Sequence, residues 1–342
     1  MHKTFIYHRS RHHAIHSGYA KLLDHVEGKI VDGLNTRTPY KLSKLISSNI
    51  PTTAGIYDSQ SVNKEVELFK TLQSISKVKS IVHYLNAERD IRYNLKLRRN
   101  FPLTKFVATF HRAPTVLKEK ITNLKYLKKL DAAVCVGENQ VDFIKNWLGS
   151  KQVRYIPHGV DTFFFKPDLN LKKEHSILFV GRHLRDFDTL NWAIPKFEKF
   201  DPSLKVKIVG MPSALEKVKQ YKNVIKFSGI DDNTLKTLYL TSKILFLPLR
   251  DGTACNSILE AMACGLPIIT NKIGGNEAYL KGTNSCFEDD REILYKQTVD
   301  LLENEEKQKA NSQKLRKKAM EYEWSHVAEQ VENFHQEITA EL

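Results

Sequence analysis

A chain of 342 residues with 41% hydrophobic and 27% charged side chains has the composition of an ordinary soluble globular protein, and its length suits two domains. No stretch approaches the roughly 20 apolar residues of a membrane span, which argues against an integral helical membrane protein. The net charge of +14 is uneven: residues 1–165 carry 27 basic and 13 acidic side chains, so the whole excess sits in the first half. That asymmetry suggests an anionic partner for the first half (membrane lipid, acidic polysaccharide or nucleic acid), beside the plainer alternative of a basic solubilising surface. The opening MHKTFIYHRSRHH lacks the apolar core of a signal peptide, so a cytoplasmic location is expected. The four cysteines, Cys135, Cys255, Cys264 and Cys286, lie far apart with no C-x-x-C pair, as buried free thiols in a reducing compartment do.

In chain order, Thr4–Tyr7 reads as a strand, followed by a loop and a helix whose apolar positions are Tyr19, Leu22, Leu23 and Val26. Ser17, ahead of Gly18, is the N-cap candidate for that helix. His8, His12, His13 and His16 have no metal-ligand spacing and no local Cys or acidic companion, and no metal is expected. Lys29–Val31 is a possible strand, Pro39–Ile50 helical or irregular, and Pro51–Gly55 a loop. Val62–Val78 has the period of an amphipathic helix, and Ser80–Leu85 (SIVHYL) is a buried strand with Glu88 just beyond it. Ile91–Asn100 interleaves Arg92, Lys96, Arg98 and Arg99 with Tyr93, Leu95 and Leu97. A second basic cluster comprises Lys118, Lys120, Lys125, Lys128 and Lys129. Basic residues beside apolar ones suit an anionic membrane surface or, more plainly, a solvated helix face. No nucleic-acid module or stacking platform is present, and nucleic acid is not expected as a partner. Phe106–Phe110 is a strand ending at His111. Ala132–Val136 and Val153–Ile156 are further strands, with a short helix over Val141–Leu148 between them.

The second half alternates strand and helix. Ser176–Val180 runs into Gly181-Arg182-His183-Leu184-Arg185; Leu204–Gly210, Val224–Phe227 and Ile244–Leu249 follow with Leu235–Thr241 helical before the last. This βαβαβαβ order predicts a parallel, doubly wound sheet. Arg250–Asn256 is a small-residue turn, Ser257–Cys264 a helix stopped by Gly265, and Pro267–Thr270 a strand leading to Gly274-Gly275 and Glu277. A strand, a small-residue loop and a helix N-terminus together make an anion site at the carboxyl end of a sheet. The plainer reading is a packed βαβ unit without a ligand. Glu260 in the helix and Asp251 in the loop are placed to accept hydrogen bonds from ribose or sugar hydroxyls. Asp289–Ala319 reads as helical and highly charged, and Trp324–Ile338 as a final amphipathic helix.

LEAMACGLPII followed by GGNEAYL resembles the donor-site segment of the retaining GT-B glycosyltransferases of family four, the glycosyl transferases of group 1. ATFHR, which contains His111, resembles the end of the family strand that carries a histidine near the transferred sugar, and IPHGVDTFFFKPD resembles its interdomain connector. The resemblance implies two Rossmann-like doubly wound domains facing an interdomain cleft: 1–165 for the acceptor, 166–325 for the donor, and 326–342 as a helix returning to the first domain. It implies a nucleoside-diphosphate sugar (UDP- or GDP-sugar) as donor, no permanently bound cofactor and no metal. The acceptor would be a glycan, a glycolipid or a lipid-linked molecule, in cell-surface polysaccharide or glycolipid synthesis. The protein would sit in the cytoplasm, free or peripheral on the inner face of the membrane.

The roles carried over by the resemblance are specific. Glu260 would hold ribose hydroxyls, Asp251 a hydroxyl of the donor sugar, and Arg182 with Arg185 the leaving diphosphate. Backbone N–H groups of Thr253, Ala254, Cys255 and Asn256 would hold the sugar or its phosphate, and Gly181 and Gly210 would flank the nucleotide. His111 would donate to a sugar hydroxyl or to the charge developing on the leaving group, and with the Ser17-Gly18 loop, which would contact donor phosphate or acceptor, it would form the opposite wall. Two positions depart from the family pattern. The family lysine five residues after the arginine is Phe187 here, and the first of two paired glutamates is Gly252, beside Asp251. Alternatives are a GT-B sugar-nucleotide epimerase or phosphorylase, or a basic membrane-binding GT-B protein that has lost catalysis.

Overall fold

The computed structural model describes residues 1–7, 15–39, 41–42, 59–91, 94–121, 124–149, 152–340 and 342. The expectations for His8, His12 and His13, for Pro51–Gly55, for most of Pro39–Ile50, and for Arg92 and Tyr93 lie outside the described residues. The chain divides into two compact units. One contains Met1–His13, Tyr19–His158 and Ser325–Leu342; the other contains Ala14–Gly18 and Gly159–Trp324.

The first unit is a six-stranded sheet of β1 (His2–Ile6), β2 (Lys29–Val31), β3 (Ser80–Tyr84), β4 (Thr104–Phe110), β5 (Ala132–Cys135) and β6 (Gln152–Tyr155), in the order β2-β1-β3-β4-β5-β6. Every neighbouring pair is parallel. A parallel strand is covered on both faces, which is why SIVHY of β3 is buried at every position. The chain goes from β1 out to β2 and then returns to the other side at β3, so the strand order reverses between β1 and β3.

The second unit repeats the principle with a different order. Its strands are β7 (Ser176–Val180), β8 (Lys205–Val209), β9 (Val224–Phe227), β10 (Ile244–Phe246), β11 (Ile268–Asn271) and β12 (Cys286–Phe287), arranged β12-β11-β10-β7-β8-β9. All its pairs are again parallel. This is the doubly wound dinucleotide-fold order, and the reversal falls between β7 and β10. Helices Phe187–Phe200, Asn256–Ala263 and Arg291–Glu303 bury apolar faces on the sheet; Phe197 meets Phe246 edge to face at 5.5 Å.

Four sequence expectations change. The run Ile244–Leu249 is buried throughout, but the strand ends at Phe246, because Pro248 has no N–H to give the ladder. The Asn271 side chain continues the pairing instead, accepting from Leu249 N at 2.8 Å and donating to Leu249 O at 2.7 Å. Asp289–Ala319 is two helices, Arg291–Glu303 and Glu305–Met320, divided where the Asn304 side chain accepts from Lys307 N. The segment after Gly18 is a short 3-10 helix, Tyr19–Asp24, and the Ser17 hydroxyl does not cap it. The basic stretch before Asn100 is likewise a 3-10 helix, Asn94–Asn100, too short for an amphipathic membrane helix.

Candidate functional site

In an open α/β sheet the ligand crevice lies at the carboxyl ends of the strands where the order reverses. In the second unit those ends are the loops after β7 and β10, and they are stitched together. Asp186 N donates to Pro248 O at 2.9 Å, Arg250 N donates to Leu184 O at 2.9 Å, and Arg185 and Leu249 form an antiparallel bridge. Leu184 adopts φ 56°, a left-handed conformation that costs a non-glycine residue about 1 kcal/mol or more and persists because both flanks are tied. Gly181, at φ 104°, lets the Arg185 guanidinium lie over it: a Cβ there would meet Nη2 at 2.7 Å. Gly210, at the end of β8, sits beside it, its Cβ position 3.6 Å from Gly181 O.

The two arginines have different surroundings. Arg185 is turned inward: Nε donates to Val180 O at 2.8 Å, Nη1 to His183 O at 3.1 Å and Nη2 to Ser257 Oγ at 3.1 Å. Its fork braces the loop against the following helix, a use the sequence did not disclose because Ser257 is remote in the chain. Arg182 is exposed, and its side chain makes no hydrogen bond or ion pair with any described residue, although its carbonyl accepts from Arg185 N at 3.5 Å. Phe187, where the resemblance puts a lysine, is 6% exposed and packs on Phe179 with ring centroids 5.4 Å apart, so it belongs to the core.

The loop after β10 is shaped by backbone touching backbone. A Cβ on Gly274 would stand 2.2 Å from Gly252 O, and one on Gly275 2.2 Å from Thr253 O; Gly275 N donates to Gly252 O at 3.2 Å. The glycine pair thus lets the Gly274-Gly275 turn lie flat on Gly252-Thr253, and Gly252 is part of that contact rather than a gap left by a glutamate. The Asp251 carboxylate accepts from Gly252 N at 2.7 Å. Thr253 and Cys255 are buried, Ala254 and Asn256 half-buried. The helix Asn256–Ala263 then begins behind Cys255 without a side-chain cap, so its first N–H groups and its dipole face the mouth of the loop.

Glu260, one turn further in, is 5% exposed. Its Oε1 accepts from the Ser17 hydroxyl at 2.5 Å and its Oε2 from the Tyr239 hydroxyl at 2.9 Å. Burial pushes its carboxyl up to about 7, against the two hydroxyls and the nearby Arg185, which favour the charged form. Tyr239 is fully buried, and burial with the Glu260 charge beside it raises its phenol well above the ordinary value. The segment carrying Ser17 is held by its neighbour. His16 stacks on Phe164 with centroids 3.6 Å apart, its Nδ1 lies 2.8 Å from Asp161 Oδ2, and its backbone N donates to Asp232 Oδ2 at 3.2 Å. Gly18, at φ 99°, turns the chain away immediately afterwards. Tyr239, Ser257 and Phe164 all escaped sequence reasoning: each lies in a helix or connector where its period marks it as ordinary packing.

His111 belongs to the first unit, at the carboxyl end of β4. Its Nε2 donates to Leu85 O at 2.7 Å, and its ring meets Tyr19 edge to face at 4.7 Å. Glu88 Oε1 accepts from His111 N at 2.7 Å and Arg112 N at 2.8 Å, while its buried Oε2 has no partner among the described residues. These groups stand at the end of the sheet where the first unit's own crevice belongs. Among the described residues no group of three or more His, Cys, Asp or Glu is placed to hold a metal ion, and no helix is long and apolar enough to cross a membrane.

Comparison with known proteins bears on the same segment. Residues 174–304 match the family model described as glycosyl transferases group 1. A phosphatidylinositol N-acetylglucosaminyltransferase component from Arabidopsis thaliana is 25% identical over 164 residues, covering 44% of this chain and 36% of that protein. A phosphatidyl-myo-inositol mannosyltransferase of Propionibacterium freudenreichii subsp. shermanii is 26% identical over 175 residues, covering 47% of this chain and 45% of that one. The matches thus span less than half the length of these curated relatives. The solved structure of a sucrose-phosphate synthase from Thermosynechococcus elongatus superposes with a TM-score of 0.70 over 100% of both chains at 17% identity, a likeness of fold. Over residues 174–304, therefore, the chain matches the glycosyl transferases group 1 family, and its two parallel six-stranded sheets are the paired Rossmann-like architecture of the GT-B fold.

Proposed function

We propose that the protein is a retaining glycosyltransferase that moves a sugar from a nucleoside-diphosphate sugar to a glycan, glycolipid or lipid-linked acceptor. The observation that carries this reading is the pairing, at the β7/β10 reversal, of the Arg182 guanidinium, unpartnered among the described residues, with the uncapped N-terminus of helix Asn256–Ala263. A planar cation and a set of free N–H groups are what a diphosphate requires as it gains charge on leaving, and they do so without a divalent ion. Arg185 holds the loop that presents Arg182 and is a positioning residue in this account. Asp251 and the backbone of Thr253 to Asn256 would take the donor sugar and its phosphate, and Gly181 and Gly210 would flank the nucleotide.

Glu260 is suited to bind hydroxyls, since both its oxygens already accept from hydroxyl groups. A ribose hydroxyl would take the place of Ser17 on Oε1. With Glu260 so occupied, retention is assigned to a front-face route: the sugar–phosphate bond breaks, the acceptor oxygen bonds to the same face of the anomeric carbon, and its proton passes to the leaving phosphate. His111, at the carboxyl end of β4, would serve the acceptor side. The two curated relatives carry a phosphatidylinositol in their names, and the basic first half suits an acceptor presented at an anionic lipid surface. That favours a lipid-linked acceptor at the inner face of the membrane.

The test is transfer itself. The protein, incubated with UDP- and GDP-sugars and with vesicles containing phosphatidylinositol, is expected to release nucleoside diphosphate and form a glycoside whose anomeric NMR coupling matches that of the donor. Inverted product would overturn the retaining assignment; no nucleotide release from any donor, with or without acceptor, would overturn the enzymatic one.

A further inference from the structure

We propose that the first unit carries a separate pocket for a phosphate or phosphate-ester group, at the end of its sheet opposite His111. The cavity, about 430 Å³, is lined chiefly by Lys96, Arg98, Arg99, Phe101, Lys128 and Lys129. Phe101 lies just before Thr104, where β4 starts, and Lys129 just before Ala132, where β5 starts, so the cavity sits at the amino ends of those strands. His111 and Glu88 are at their carboxyl ends, and Arg182 and Glu260 are in the other unit, so none of the groups assigned to sugar transfer contributes to it.

The five cations are held together by the fold. The 3-10 helices Asn94–Asn100 and Leu127–Lys129 clasp each other: Arg98 Nη1 donates to Lys129 O at 3.1 Å, and Lys129 Nζ donates to Lys96 O at 3.2 Å. Asp131, its side chain 8% exposed, pairs with Arg98 and also accepts from Phe106 N at 2.8 Å, which anchors the clasp to β4. Lys96, Arg99 and Lys128 remain, their side chains making no hydrogen bond or ion pair to any described residue, and no carboxylate is among the described residues that line the cavity. Like charges gathered around a concavity repel one another, and a bound anion relieves that repulsion. A guanidinium fork together with ammonium point charges matches the oxygens of a phosphate. The volume lies within the range of small-molecule sites, about 300–1,000 Å³, and exceeds what one phosphate needs, leaving room for the group it esterifies. Phe101 is 4% exposed and presents no face for base stacking, which turns the choice away from single-stranded nucleic acid. The phosphate could belong to a soluble compound or to a lipid headgroup, and the two sources are experimentally separable.

Hydrogen exchange of the protein, read at Asn94–Asn100 and Leu127–Lys129, localises binding and is blind to the second unit's site. The probes are inorganic pyrophosphate and phosphatidylcholine vesicles with or without phosphatidic acid. The variant is K96Q/R99Q/K128Q, which leaves the Arg98–Asp131 clasp intact; its melting temperature is expected to equal that of the parent. Slower exchange in both helices with pyrophosphate, with affinity falling about fivefold per charge and about a hundredfold in the triple variant, supports the site with a soluble phosphate. Protection by the phosphatidic acid vesicles alone, lost in the triple variant, supports it with a lipid headgroup. No protection by either probe, or equal protection of parent and variant, would overturn it.

Discussion

Two arginines three positions apart divide the work at the β7/β10 reversal. Arg185 spends its three side-chain nitrogens on Val180, His183 and Ser257, whereas the Arg182 guanidinium has no partner among the described residues. Replacing Arg185 by alanine is therefore expected to lower the melting temperature as well as nucleotide affinity, since Ser257 and two carbonyls lose their donor. Replacing Arg182 is expected to leave the melting temperature of the free protein unchanged, and melts of the two variants without ligand separate the roles. Glu260 supplies a pH test. Its folded carboxyl is raised to about 7, above the unfolded value of about 4.3, so between those pH values the native state holds a proton that the unfolded state has released. Stability then falls as pH rises from about 4 to 7 and levels off above, by at most about 4 kcal/mol for this group. Glu260→Gln is expected to flatten that part of the profile, and denaturant melts at pH 5 and pH 8 would show it; an unchanged slope would mean the carboxyl is ionised throughout. The motif containing Glu260 was legible in the sequence, its protonation was not, because Ser17 and Tyr239 reach it from 243 and 21 residues away.

At the scale of the element, the most legible strands were those buried on both faces, such as SIVHY and SILFV, since their apolar runs admit no other packing in a parallel sheet. Their ends were less legible. The early end of β10 follows from Pro248 and the Asn271 side chain, and the break at Asn304 follows from a side-chain cap inside a continuous charged pattern. The Gly274-Gly275 turn was recognisable as part of a donor-site motif, but its physical reason, direct contact with Gly252 and Thr253, is a feature of three dimensions. That contact makes a strong prediction. Gly275→Ala would drive a Cβ to 2.2 Å from Thr253 O, and is expected to cost about 3 kcal/mol, lowering the melting temperature by about 10 °C. A loss of nucleotide affinity without that destabilisation would place the glycine's role in ligand contact instead.

Across the whole molecule, the doubly wound class and its two sheets were readable from the alternation of strand and helix, and the return of the last helix was an expectation of the resemblance, but the grouping of Ala14–Gly18 with the second unit was not foreseen. Each unit draws on distant segments: Ser325–Leu342 joins the first, and Ala14–Gly18 joins the second. The helix Trp324–Thr339 places Val331, Phe334, His335 and Ile338 in buried positions, sets His335 Nε2 3.0 Å from His83 Nδ1, and pairs Glu337 with Arg154 at 2.6 Å. Burial of three such apolar side chains is worth about 5–8 kcal/mol, comparable to the net stability of a domain. Truncation after Trp324 is therefore expected to unfold the first unit while the second, measured by its own melting transition, persists. A single unchanged transition would contradict the division. Five of the 27 basic side chains of residues 1–165 gather in the clasped pocket at the amino ends of β4 and β5.

The central claim is that a nucleoside diphosphate binds at the β7/β10 reversal through Arg182 and the N-terminus of the helix Asn256–Ala263. Thermal shift with UDP, GDP, ADP and CDP at millimolar concentration, on the parent protein and on Arg182→Ala, tests it most directly. The account predicts that at least one nucleotide stabilises the parent, by about 2.7 kcal/mol at a hundred times its Kd. Affinity in Arg182→Ala is expected to fall about thirtyfold, the loss of one charge-assisted contact of about 2 kcal/mol. Stabilisation of both proteins to the same extent, or of neither, would contradict it.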